Sequence, residues 1–145
     1  MTHRKIQEFV IECMIPEDVI IKAVAREFGI QPDHLSIIND ANFTNMPIHY
    51  SLYYHKTGFA INLSLFIDES KTAVRKNALD VAKDLSAAWI QDILIPVPTE
   101  LPGLENANPY LLLVKPSGET FLVIETDSDD GVTFDESPGM MKKIE

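Results

Sequence analysis

The sequence predicts an α+β fold, a mainly antiparallel sheet with two helices packed on one face, in a split βαβ-like arrangement with extra strands. Three observations carry that expectation. Between Asp68 and Val97 the residues Val74, Ala78, Val81, Leu85 and Trp89 recur at spacings of three and four, which gathers them on one helical face and puts Lys76, Asp80 and Lys83 opposite. Nearly every other apolar run alternates with period two or is rich in Val, Ile, Phe and Tyr, as strands are. The order of segments is strand, helix, strands, helix, strands, so each apolar helical face has a sheet to cover.

Taken in order, Gln7 to Met14 alternates, with Phe9, Ile11 and Cys13 on one side and Glu8, Val10 and Glu12 on the other. This is the pattern of a strand with one buried face, and it places Cys13 in the core as a small hydrophobe. Pro16 suits a first helical turn, Glu17 and Asp18 complement the helix dipole, and Ile20, Ile21, Val24, Ala25 and Phe28 form an apolar face that ends at Gly29. After the Gln31-Pro32-Asp33 turn comes a short strand, Leu35 to Asn39, and then a loop to Pro47. Ile48, Tyr50, Leu52 and Tyr54 alternate with polar or aromatic neighbours, as do Phe59, Ile61, Leu63, Leu65 and Ile67, and Lys56-Thr57-Gly58 between them reads as a hairpin turn with positive φ at the glycine. Tyr53 and Phe66, on the second side of that hairpin, read as core packing before partner contact. Asp68 or Ser70 can cap the second helix, expected over residues 70 to 90. It yields to Ile93-Leu94-Ile95-Pro96-Val97, where the missing N–H of Pro96 demands an edge or a strand end. Pro98 to Pro109 is a loop long enough to suggest a role of its own. Tyr110 to Lys115 and Thr120 to Thr126 form another hairpin around Pro116-Ser117-Gly118, apolar enough for burial on both faces. A short Val132-Thr133-Phe134 run closes a single domain over 1–136, and residues 137–145 are expected to be a loosely ordered tail.

A chain of 145 residues with 46% hydrophobic and 23% charged residues can bury a core without covalent staples. The single cysteine rules out an internal disulfide and points to a reducing, cytoplasmic setting. The basic start, Met1 to Lys5, lacks the apolar core of a signal peptide, and no apolar run approaches the ~20 residues of a membrane helix. Charge is distributed unevenly. Residues 1–99 hold 12 acids and 9 bases, whereas residues 100–136 hold 9 acids and one base, Lys115. That excess repels phosphate backbones, which argues against direct nucleic-acid binding, and attracts cationic partners. The partner-contact candidates are accordingly Glu125, Asp127, Asp129, Asp130, Asp135 and Glu136, with Tyr110 as an apolar anchor.

Other chemistries fit less well. Registering Asp127-Ser128-Asp129-Asp130-Gly131 as a calcium loop with Gly131 in the sixth position puts Thr126 first and Ser137 where a bidentate glutamate belongs. His3, His34, His49 and His55 show no zinc-ligand spacing, so no metal or other cofactor is expected. Neither a phosphate-binding glycine loop nor a nucleophile elbow occurs, and a pair such as Glu125 and Asp127 reads as an exposed strand edge rather than an acid–base couple. The chain is therefore expected not to be an enzyme.

The helix running into Asp92-Ile93-Leu94-Ile95-Pro96, then Asn108-Pro109-Tyr110-Leu111-Leu112-Leu113, then Lys115-Pro116-Ser117-Gly118-Glu119 and an acidic end, resembles the small immunity proteins of bacterial polymorphic toxin systems. The likeness is one of layout over about residues 70–136. It implies a protein that binds and neutralises a co-produced toxin, such as a contact-dependent growth-inhibition toxin, without catalysis of its own. It carries over no catalytic residue. An adaptor or chaperone for a secreted protein would share the size and acidity, and a small enzyme would need a concave pocket of converging polar groups.

Overall fold

The computed structural model describes residues 4–38, 46–72, 76–98, 110–126, 131–137 and 139–144. The fold is α+β. Strand β1 (Arg4–Ile11) pairs antiparallel along its length with β5 (Ile61–Asp68), from Arg4 opposite Asp68 to Ile11 opposite Ile61. On the far side of β5 lies β3 (Ile48–Tyr54), also antiparallel, and β2 (Leu35–Ile37) adds in parallel beyond it. On the other flank of β1 come β6 (Ile93–Pro96), β7 (Tyr110–Val114), β8 (Thr120–Thr126) and β9 (Gly131–Phe134), each antiparallel to its neighbour. The short β4 (Thr57–Gly58) pairs in parallel with β9, so the order runs β2-β3-β5-β1-β6-β7-β8-β9-β4.

Helices α1 (Glu17–Phe28) and α2 (Ala78–Trp89) both cover the sheet face that carries Phe9, Ile11, Ile61, Leu63 and Leu65. For α1 the expected signals operate: Pro16 precedes the first turn, Glu17 and Asp18 occupy it, and Gly29 takes the left-handed conformation at φ 66. The amides of Gly29 and Ile30 then return to the carbonyls of Arg26 and Ala25, which satisfies the helix end. Tyr50, buried beneath α1, donates its hydroxyl to Glu17 at 2.6 Å. Burial and the carboxylate acceptor both push the phenol well above its ordinary range.

The second helix begins later than its periodicity suggests. Its cap is Asn77, whose side chain accepts the amide of Asp80 at 2.9 Å. Asp68 instead closes β5: its carboxylate takes the amide and hydroxyl of Ser70, a local turn that competes with helix formation. Val74, placed on the apolar face by spacing, lies outside the described residues. Val81 and Leu85 are core as expected, and Trp89 packs half-buried at the end of the same stripe. Lys76 bridges the helices through Glu27 at 3.3 Å and Asp84 at 2.7 Å.

Three further expectations are corrected. Cys13 is exposed, because β1 ends at Ile11 and the chain bends away, with the Cys13 amide donated to Gln91 Oε1. Tyr53 is 60% exposed: its register partner is Asn62 rather than Phe66, and its ring leans on His55 with centroids 4.9 Å apart. Of the segment expected as a loose tail, Lys142 to Ile144 are docked, since β10 (Lys142–Lys143) pairs with β8, Lys143 meets Glu119 at 3.0 Å and Ile144 packs on the main core.

The second face of the sheet carries its own small core. Val10, Leu94, Leu113 and Val123 point away from the helices yet are buried, which is why β7 and β8 read as continuous apolar runs. Their roof is the strap formed by β9 and β4, with Phe59 and Phe134 in edge contact at 6.0 Å. Two glycines let the strap close. A Cβ at Gly131 would stand 1.8 Å from the Thr57 carbonyl oxygen, and Gly58, at φ 70, would place one 2.4 Å from the Val132 carbonyl oxygen. Among the described residues no helix is long and apolar enough to cross a membrane.

Candidate functional site

The site begins with a break in the sheet. The ladder between β1 and β6 consists of Val10 opposite Leu94 and Ile11 opposite Ile93, and it ends there. The Glu12 amide reaches the Asp92 carbonyl at 3.1 Å, which fixes the backbone groups facing β6 as those of every second residue: Glu12, Val10, Glu8 and Ile6. Continuing the register would set Pro96 opposite Glu8 and Pro98 opposite Ile6. Neither proline has an N–H to give, so the pairing stops and the two strands part. Pro96 thus ends its strand as expected, but inside the sheet rather than at its edge.

The opened seam has a mouth on each face. On the helix side is a cleft of about 380 Å³, bounded by Gln7, Glu8, Asn77, Pro96 and Pro98. On the second face is a cleft of about 150 Å³, where Glu8, Asn62 and Glu125 stand over Val10, Pro96 and Leu111. Glu8 and Pro96 belong to both. Each mouth also holds a buried amide oxygen without a hydrogen-bond partner, Gln7 Oε1 on one side and Asn62 Oδ1 on the other. The Gln7 side chain is 2% exposed and its nitrogen donates to the Lys76 carbonyl at 3.4 Å, so its oxygen is held in place yet unsatisfied.

Of the residues selected from sequence, Glu125 lies in this site, and the register explains how it gets there. It falls on β8 opposite Phe134, on the second face with Val123, while Tyr110 pairs with Ile124 and leaves the sheet on the helix side. The two are therefore not brought together. Glu136 lies one cleft further along the same face, with Glu12, Phe59 and Phe134, in a space of about 260 Å³. Asp135 follows β9, and the Ser137 hydroxyl and amide hold its carboxyl below the usual range. Asp127, Asp129 and Asp130 lie outside the described residues.

No family model matches the chain, and no curated protein or solved structure is significantly similar to it.

Sequence reasoning missed Glu8, Asn62 and Gln7. Each sits mid-strand and reads as one more polar position in an alternating run. The available signal was Ile95-Pro96-Val97-Pro98: prolines two apart strip the donors from one edge of a strand, and a neighbouring strand must then carry the unmatched acceptors. The aspartates of the disfavoured calcium register lie outside the described residues, and at its flanks Gly131 is required by its contact with Thr57 while the Thr126 hydroxyl is shared with Thr133 across the β8–β9 ladder. Among the described residues, no three His, Cys, Asp or Glu side chains are grouped to hold a metal ion.

Proposed function

We propose that this is a non-catalytic binding protein of the immunity type, which neutralises a co-produced bacterial toxin by occluding a basic surface or active site. The observation that carries the reading is the pairing of carboxylates across the second face: Glu8 with Glu125 in one cleft, Glu12 with Glu136 in the next. One acid of each pair belongs to or follows β1 in the middle of the sheet, and the other belongs to β8 or follows β9, three and four strands further along the order. These four carboxylates give the second face a negative field that speeds encounter with a cationic protein, the same sign as the acidic excess in the sequence of residues 100–136. The cytoplasm is the compartment in which such a protein protects its own cell.

The test is co-expression with the C-terminal domain of any large secreted protein encoded beside it, scored as rescue of growth. Failure to rescue, together with no complex on mixing the purified proteins, removes the reading. A second reading, an adaptor for a secreted protein, is favoured by the apolar Ile6, 57% exposed beside Phe66 on the same face. Such an adaptor is expected to be a homodimer through that patch, which sedimentation of the isolated protein distinguishes.

A further inference from the structure

We propose that the seam between β1 and β6 is a socket for an arginine side chain presented by a cationic protein partner. The inference deepens the binding role proposed above and rests on it for the identity of the partner. Its basis is a count of hydrogen-bonding groups. Pro96 and Pro98 remove the donors that a continued β6 would have offered to the carbonyls of Glu8 and Ile6, and on the second face the buried amide oxygen of Asn62 has no donor either. The carboxylates of Glu8 and Glu125 add acceptors and negative charge at the second-face mouth. The opening is thus rich in acceptors and poor in donors, and its complement is a group with many donors and no acceptor.

Guanidinium is that group, with five N–H donors in a planar fork and a charge that persists at any working pH. The second-face cleft has the shape its side chain needs. Val10, Leu111 and Pro96 line it with apolar surface for the methylene stem, and Glu8, Asn62 and Glu125 stand where the head would come to rest. A lysine ammonium would satisfy fewer of these acceptors, because its three donors radiate from a point rather than spreading in a plane. At the helix-side mouth, Lys5 and the start of α2 disfavour a second cation, so the arginine enters from the second face.

The experiment is a titration of the full-length protein, isotopically labelled, with N-acetyl-arginine methylamide and its lysine and citrulline counterparts, followed by NMR. Saturable shifts are expected at the amides of Glu8, Val10 and Glu125 and at the side-chain amide of Asn62. Arginine should bind more tightly than lysine by several fold, and citrulline, isosteric but uncharged, at least about tenfold more weakly than arginine. Glu8→Gln and Glu125→Gln, both exposed positions, should each weaken the arginine probe and leave citrulline unchanged, with the circular dichroism spectrum as the check on folding. Equal response to lysine and arginine, or shifts scattered over every acidic segment without saturation, would overturn the socket. The two proposals separate cleanly. Growth rescue that survives the double Gln variant sinks the socket and keeps the immunity role; saturable arginine binding without rescue does the reverse.

Discussion

Truncating Leu85 to alanine tests the central packing assignment. Leu85 is 1% exposed on α2, inside the main core and on the stripe that runs from Val81 to Trp89. Removing three buried carbons at about 0.8 kcal/mol per methylene forfeits roughly 2.4 kcal/mol of transfer free energy. The cavity left behind adds to this, because close-packed surroundings relax only partly, so Leu85→Ala should cost about 3 to 4 kcal/mol. That is a substantial part of the roughly 5–15 kcal/mol by which domains are stable. Urea unfolding read by Trp89 fluorescence suits the measurement, since it is the single tryptophan and lies half-buried four residues further along the same helix. With a slope of about 1.5 kcal/mol per molar urea, the midpoint should fall by about 2 M. Ala87→Gln, on the exposed side of α2, should change stability by less than about 0.5 kcal/mol. If Leu85→Ala costs as little as that control, the helix face is wrongly assigned.

Other outcomes follow from the same structure. Amide hydrogen exchange should be slowest in β5, which is paired on both sides by β1 and β3, and rapid exchange from Ile61 to Ile67 would contradict its central place. Asp68, whose carboxyl is lowered from its ordinary 3.8 chiefly by the Ser70 hydroxyl and amide, contributes stability above that value and loses it as pH falls through the lowered one. Asp68→Asn should therefore be less stable than the native protein near neutral pH, with the gap closing on acidification below about pH 4; a pH-independent gap would show that the charge is irrelevant. Reversing Asp127, Asp129 and Asp130 to lysine should slow association with a cationic partner of the kind proposed and lessen its salt dependence while leaving folding intact. Unchanged rates would restrict the acidic contribution to Glu8, Glu12, Glu125 and Glu136.

What the sequence made legible was whatever repeats along one element. The stripe on α2, the caps of α1 and the hairpin of β7 and β8 depend on neighbours within a few residues and appear where period or turn residue puts them, whereas in the first hairpin the expected turn residues Thr57 and Gly58 form β4 against β9 and Phe59 joins the second-face core instead of the face of Ile61. What stayed hidden depends on residues far apart in the chain. Val10 looks like an exposed position of an alternating strand and is buried because Leu94, Leu113 and Val123 come to lie beside it. Cys13 looks like the next buried position, but the alternation has no meaning once the strand has ended at Ile11. The start of α2 misleads for a different reason: Asp68 and Ser70 are good capping residues that satisfy one another first. Of the candidate site, Glu125 was found through charge, whereas Glu8 and Asn62 needed the register between strands to reveal which face they share with it.

The strap has a consequence for the order in which the molecule can assemble. Strand β4 sits within the connection from β3 to β5, while β9 lies at the other end of the strand order, so their pairing closes a circuit through the whole sheet. Both halves must already stand in register before Thr57 can meet Gly131, which places this contact late on the folding path, after the loop-closure entropy of the sheet has been met. A contact formed late leaves the folding rate untouched and governs how fast the native state opens. Gly131→Ala, which sets a methyl against the Thr57 carbonyl, should cost about 1–3 kcal/mol and express nearly all of it as faster unfolding. The two residues of β4 would then act as a latch on lifetime, holding shut a structure they take no part in building.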